Sequence, residues 1–77
     1  MLRYPAAFAI ETPDGGGEAI KTAPDEPWAV TYPSGGFRWY GSVPEVKVQV
    51  RKRLREEHGG GYWVLLGEPA PMEVSDV

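Results

Sequence analysis

Residues 28–58, WAVTYPSGGFRWYGSVPEVKVQVRKRLREEH, constrain the fold more than any other stretch. They read as an aromatic hairpin that leads directly into a capped basic helix. Trp28, Val30 and Tyr32 recur at period two, the pattern of a half-buried strand. Pro33, Ser34, Gly35 and Gly36 make a hairpin turn. Residues 37–40 return as the partner strand, with Phe37 and Trp39 on one face and Arg38 and Tyr40 on the other.

Ser42 and Glu45 have the spacing of a capping box, in which each side chain satisfies a backbone donor of the other. Pro44 falls in the first turn, where its missing N–H costs little. At helical spacing Val43, Val46, Val50 and Leu54 share one stripe. Lys47, Arg51, Arg55 and His58 flank it on one side, Glu45, Gln49 and Glu56 on the other. Val48 points away from the stripe, and Val46, Val48 and Val50 would suit a strand equally well. The cap, the charge spacing and the length favour a helix over residues 43–58. Gly59 is a natural residue to end it.

Around this unit the chain supplies further strands. Leu2, Tyr4, Ala6, Phe8 and Ile10 alternate on one parity. Pro5 removes a ladder donor there, which predicts an edge position or a place in the first half of the strand. Residues 12–17, TPDGGG, read as a turn, and residues 18–23 as a short return strand. Residues 24–27, PDEP, are a polar break. Residues 62–66, YWVLL, form a continuous apolar run bounded by glycines, which predicts a central strand covered on both sides. The expected fold is α+β: a small antiparallel sheet, β-β-β-α-β or with one extra strand, carrying a single helix on one face. Residues 1–67 are expected to form one domain, and the acidic, proline-rich residues 68–77 a flexible tail.

A chain of 77 residues makes one domain and buries only ~60% of its unfolded surface. Three Trp, four Tyr and two Phe compensate in part, since each large ring buries roughly 150–250 Å². There is no cysteine, which excludes disulfides, thiolate chemistry and cysteine-bound zinc. No run approaches the ~20 apolar residues of a membrane span, and residues 1–10 lack the apolar core and cleavage site of a secretory signal. A soluble cytoplasmic protein is the expectation.

The net charge of −3 is unevenly spread. Residues 43–58 hold five basic and three acidic side chains, a balance of +2, and the remainder holds three basic and eight acidic, a balance of −5. Such a dipole can steer an anionic partner to one face. A solvated helix face offset by acidic loops is the plainer account of the same pattern.

Residues suited to catalysis are few and scattered. His58 is the only histidine, and its place at the helix C-terminus is explained by the favourable interaction of a donor or cation with the last carbonyls. A lone histidine without cysteine gives no structural metal site. The glycine runs 15–17 and 59–61 lack the Gly-Lys-Ser/Thr ending of a phosphate loop. Asp25 with Glu26, and Asp14 near Glu11 and Glu18, read as solvated loop acids. Ser34, Ser42 and Ser75 have no nucleophile-elbow context. The expectation is no enzyme, no cofactor and no metal. The last residues, Val74, Ser75, Asp76 and Val77, have the pattern of a C-terminal strand-addition ligand, against which an ordinary tail is the simpler reading.

The basic helix face with Arg38, Trp39 and Tyr40 is the most suggestive constellation. Tyr, Trp and Arg are the usual anchors of protein interfaces. Arg38, Tyr40, Lys47, Arg51 and Arg55 are the expected contact residues of a non-catalytic regulator or inhibitor that binds a protein partner. The alternative is a small nucleic-acid-binding module using the hairpin and helix, with arginines on phosphates and aromatics on bases. Against it stand the acidic balance and a pI near 5.0, because nucleic-acid-binding domains are basic overall. Self-association is open on either reading. In the plainest reading Trp39 packs in the core and the helix cations only solubilise.

The first third resembles the N-terminal part of HicB-like antitoxins. The residues that carry the resemblance are the opening strand Arg3-Tyr4-Pro5-Ala6-Ala7-Phe8, the turn Asp14-Gly15-Gly16, the short strand at 18–22, and the break Pro24-Asp25-Glu26-Pro27. It covers roughly residues 2–31. Beyond them the chain departs from the family: it inserts the aromatic strand at 37–40, its helix is rich in valine and arginine rather than acidic and alanine-rich, and no separate DNA-binding part follows. The resemblance implies a degraded ribonuclease-H-like β-β-β-α-β fold without catalysis. It also implies a small toxin ribonuclease as partner and a possible oligomer.

Overall fold

A computed structural model describes residues 2–72. Strands β1 (Ala6–Thr12) and β2 (Gly15–Lys21) form one hairpin, and β3 (Trp28–Tyr32) and β4 (Gly35–Trp39) a second. Helix α1 (Val43–His58) follows, then the two-residue strands β5 (Leu65–Leu66) and β6 (Ala70–Pro71). The sheet order is β4-β3-β2-β1-β5, with β6 also on β1, and every pairing is antiparallel. The fold is therefore α+β, a small antiparallel sheet with one helix on a face; the return strand expected at residues 18–23 is present as β2, and β6 is a strand beyond those expected.

The two hairpins turn by the same device. Thr12 pairs with Gly15 and Tyr32 with Gly35, leaving Pro13-Asp14 and Pro33-Ser34 as two-residue loops. Proline presets the first loop position, and Gly15 (φ +130°) and Gly35 (φ +155°) take up backbone angles that L side chains rarely adopt. The Thr12 hydroxyl donates to the Gly15 carbonyl at 2.8 Å and accepts from the Asp14 N–H at 3.2 Å, which fixes the first turn. Gly16 and Gly17 belong to β2 rather than to the turn. A Cβ at Gly17 would run into the Thr31 carbonyl of β3, so this strand needs glycine there.

One face of the sheet builds the core. Phe8 and Ile10 of β1, Ala19 of β2, and Trp28, Val30 and Tyr32 of β3 are buried against Val46, Val50 and Leu54 of α1. The Phe8 and Trp28 rings meet at 5.4 Å. Each such side chain contributes about 1.5–3 kcal/mol when fully buried. Ser42 caps the helix, its hydroxyl accepting from the Glu45 N–H at 3.4 Å, and Gly59 (φ +93°) ends it with its N–H on the Arg55 carbonyl. The helix limits are those the sequence predicts, and Val48 faces solvent.

Three expectations are corrected. β1 is an interior strand, flanked by β2 on one side and β5 and β6 on the other. Pro5 lies just before it, so no ladder donor is lost. Residues 62–66 do not form a central strand: only Leu65 and Leu66 pair, with Glu11 and Ile10, at the sheet margin. One helix covers one face, so among the described residues no strand is covered on both sides, and Leu65 on the other face is 60% exposed. The expected tail does not begin at residue 68, because Ala70 and Pro71 pair with Ala7 and Ala6, and the Met72 N–H donates to the Pro5 carbonyl at 2.8 Å. The possible C-terminal ligand at 74–77 lies outside the described residues. Among those described, no helix is long and apolar enough to cross a membrane.

Candidate functional site

The helix periodicity that buries Val46, Val50 and Leu54 turns Arg51 and Arg55 toward the chain that leaves the helix. That chain is bent back by Gly59, and the Tyr62 N–H reaches the Gly59 carbonyl at 3.3 Å. The Tyr62 ring stacks on His58, 4.0 Å between centroids and 14° from parallel, while its hydroxyl donates to Asp14 Oδ2 at 2.8 Å. Burial and the Asp14 carboxylate raise the Tyr62 pKa, with a hydrogen bond to Thr12 opposing. Clamped in this way, Tyr62 sets Trp63 beside the arginines, with 51% of the Trp63 surface exposed. Arg51, Arg55, Tyr62, Trp63 and Val64 line a shallow cavity of about 230 Å³. Across the helix surface the same two arginines, with Val48, Lys52 and Glu56, line a second depression of about 470 Å³.

The five expected contact residues do not share one surface. Arg51 and Arg55 are together. Lys47, one turn before Arg51, is drawn toward the sheet: its Nζ lies 3.5 Å from a Glu68 carboxylate oxygen and 5.9 Å from the Phe8 ring. Arg38 is on the opposite, uncovered face, in register with Ala29 and beside Ile20, Thr22, Glu26 and Pro27. Sheet and helix thickness separate it from Arg51 and Arg55. Tyr40, 73% exposed, stands at the corner between β4 and α1. The hairpin and the basic helix are thus two surfaces, because strand alternation sends Arg38 away from the helix and Trp39 toward it. Trp39 is half-buried against the first turns of α1, and its Nε1 has no hydrogen-bond partner.

A second group of polar residues gathers at the far end of the helix. Ser34 Oγ donates to Glu57 Oε2 at 2.8 Å, the Tyr32 hydroxyl donates to Glu57 Oε1 at 3.4 Å, and His58 Nε2 lies 3.2 Å from Ser34 Oγ. Burial, then the nearby Glu57 carboxylate, raises the Tyr32 pKa. Serine, histidine and glutamate together invite comparison with a hydrolytic triad. A triad needs the acid on one imidazole nitrogen and the nucleophile on the other. Here Glu57 Oε2, 3.6 Å away, and Ser34 Oγ both approach Nε2, and Glu57 binds the serine directly. The arrangement ties the β3–β4 turn to the helix end and builds no proton relay. Its histidine contacts a turn serine, a partner that helix-end position does not predict. Among the described residues no group of three histidine or carboxylate side chains converges as a metal site would need.

Sequence reasoning found Arg51 and Arg55 from helical spacing. It missed Trp63 and Tyr62, whose place inside an apolar run pointed to a strand. The three glycines before Tyr62 were the available signal, since such a run favours a tight reversal over a strand start.

Comparison with family models, curated proteins and solved structures finds no match to this chain.

Proposed function

We propose that this chain is a non-catalytic, antitoxin-like regulator or inhibitor that holds an acidic segment of a protein partner along Arg51 and Arg55. One observation carries the reading: the two arginines and the half-exposed Trp63 line one cavity, and among the described residues neither arginine has an ion-pair partner. Arginine supplies bidentate carboxylate recognition, and a tryptophan beside it is the usual companion at an interface anchor. Charge steers the encounter, because the helix is the basic pole of an acidic chain. The Ser34–His58–Glu57 geometry supports the non-catalytic part of the reading. A toxin ribonuclease is the partner that the antitoxin resemblance suggests.

The test begins with capture of the partner from nuclease-treated lysate, followed by titration of the purified pair. Arg51→Glu with Arg55→Glu is expected to weaken binding at least about 100-fold, as truncating buried interfacial charges does, and to leave the melting temperature within about 2 °C. Unchanged affinity overturns the assignment. Capture that requires nucleic acid, with a steep salt dependence, would replace it with the nucleic-acid reading.

A further inference from the structure

The free side of β4 has the pattern of a surface made to pair with its own copy. Tyr32 and Gly35 close a two-residue turn and so exchange both backbone hydrogen bonds. The alternation that follows assigns Gly35, Phe37 and Trp39 to β3, and points the N–H and C=O groups of Gly36 and Arg38 outward. The same rule, applied to β1, points Ala9 away from β2, and its carbonyl does accept there, from the Gly67 N–H at 2.9 Å. Among the described residues nothing pairs with the outward side of β4.

The two margins of the sheet are protected unequally. The β5–β6 margin is broken between Leu66 and Ala70 and carries Pro69 and Pro71, features that discourage pairing. β4 runs unbroken over five residues with no proline and a single charge.

We propose that β4 pairs antiparallel with β4 of a second copy, with Phe37 opposite Phe37 at the two-fold axis. In this register Gly36 of each chain faces Arg38 of the other, so the outward groups of both strands meet and exchange their hydrogen bonds. Arginine faces glycine, and no like charges oppose. A register centred on Arg38 would set arginine against arginine, which is unfavourable. One centred on Gly36 would run Arg38 past the strand, against the turn. The two-fold axis stands perpendicular to the sheet, so both helices lie on one side of a continuous sheet and both Arg51–Arg55–Trp63 surfaces stay free. The inference does not depend on what those surfaces bind.

Sedimentation of the intact chain over a range of concentrations, with amide exchange by NMR on the same samples, tests it. Mass should double as concentration rises. Exchange of the Gly36 and Arg38 amides should slow at least about tenfold with the doubling, since paired amides are protected. Arg38→Pro removes an outward N–H and no hydrogen bond to β3, so it should give a monomer that keeps the fold. A chain that stays monomeric at millimolar concentration overturns the proposal. So does a dimer in which Gly36 and Arg38 exchange freely, or a folded Arg38→Pro dimer. Should Arg38→Pro fail to fold, the exchange of the unaltered chain decides. Protection that appears only on adding an extended peptide would make β4 a peptide-docking edge instead.

Discussion

The helix is held differently on its two sides. Toward β4 the contacts fall within one continuous stretch, residues 32–57. The Arg53 guanidinium lies 4.1 Å over the Phe37 ring, Phe37 meets Tyr32 edge-on at 6.4 Å, and Trp39 packs beside Pro44. Toward β5 they come from distant parts of the chain: Tyr62 reaches Asp14, Lys47 reaches Glu68, and Leu66 returns to Ile10. The local side is a regular hairpin edge whose register a two-residue turn fixes. The distant side is broken, glycine-led and more exposed, and it holds the candidate site. Loop closure must be achieved before those distant contacts form, so the β5 side depends on the β4 side and on the core rather than the reverse.

The largest effect should come from Leu54→Ala, which removes a fully buried side chain beneath both sides. A loss of about 2–5 kcal/mol is expected, seen as one cooperative transition in urea followed by fluorescence and circular dichroism. Two separated transitions would mean that the sides are independent units. Tyr62→Ala should cost less and act on one side. Amides of Leu65 and Gly67 should exchange faster, while those of Val30 and Phe37 follow only the global change. Equal acceleration in every strand would break the comparison.

The smallest effect concerns the Tyr32–Glu57 contact that joins the β3–β4 turn to the helix end. The folded pKa of Tyr32 is raised above its ordinary value of 10.0, so the unfolded chain releases that proton first. The associated stability is fully present below pH 10 and falls as pH rises through the folded pKa. Tyr62, also raised, adds to the same alkaline loss. Urea midpoints between about pH 9 and about pH 11 should therefore decline in the unaltered chain, and less steeply in Tyr32→Phe. Identical slopes would show that Tyr32 carries none of it.

The parts of this fold that sequence revealed are those set within a few residues. The Ser42 cap and the Val46–Val50–Leu54 stripe act over one or two turns of chain and stand where their patterns place them, and the hairpin turn read at 33–36 is present in a tighter form, with Gly35 and Gly36 already in β4. Arg51 and Arg55 were legible for the same reason. Misplaced elements were those decided by neighbours. Pro5 suggested an edge or an early place in the strand, but whether β1 has partners on both sides depends on where residues 65–71 return. The apolar run at 62–66 carried enough hydrophobicity for a covered strand, and the described residues supply a single helix to cover the sheet.

By itself the sequence determined the hairpins, the helix with its limits, the acidic body and the basic pole, because backbone angles, caps and side-chain period are local properties. Only the tertiary structure decided that Arg38 stands apart from Arg51 and Arg55, that Trp63 joins those two, and that among the described residues β4 keeps a free edge. These depend on which strands become neighbours, and burial summed over the whole chain settles that.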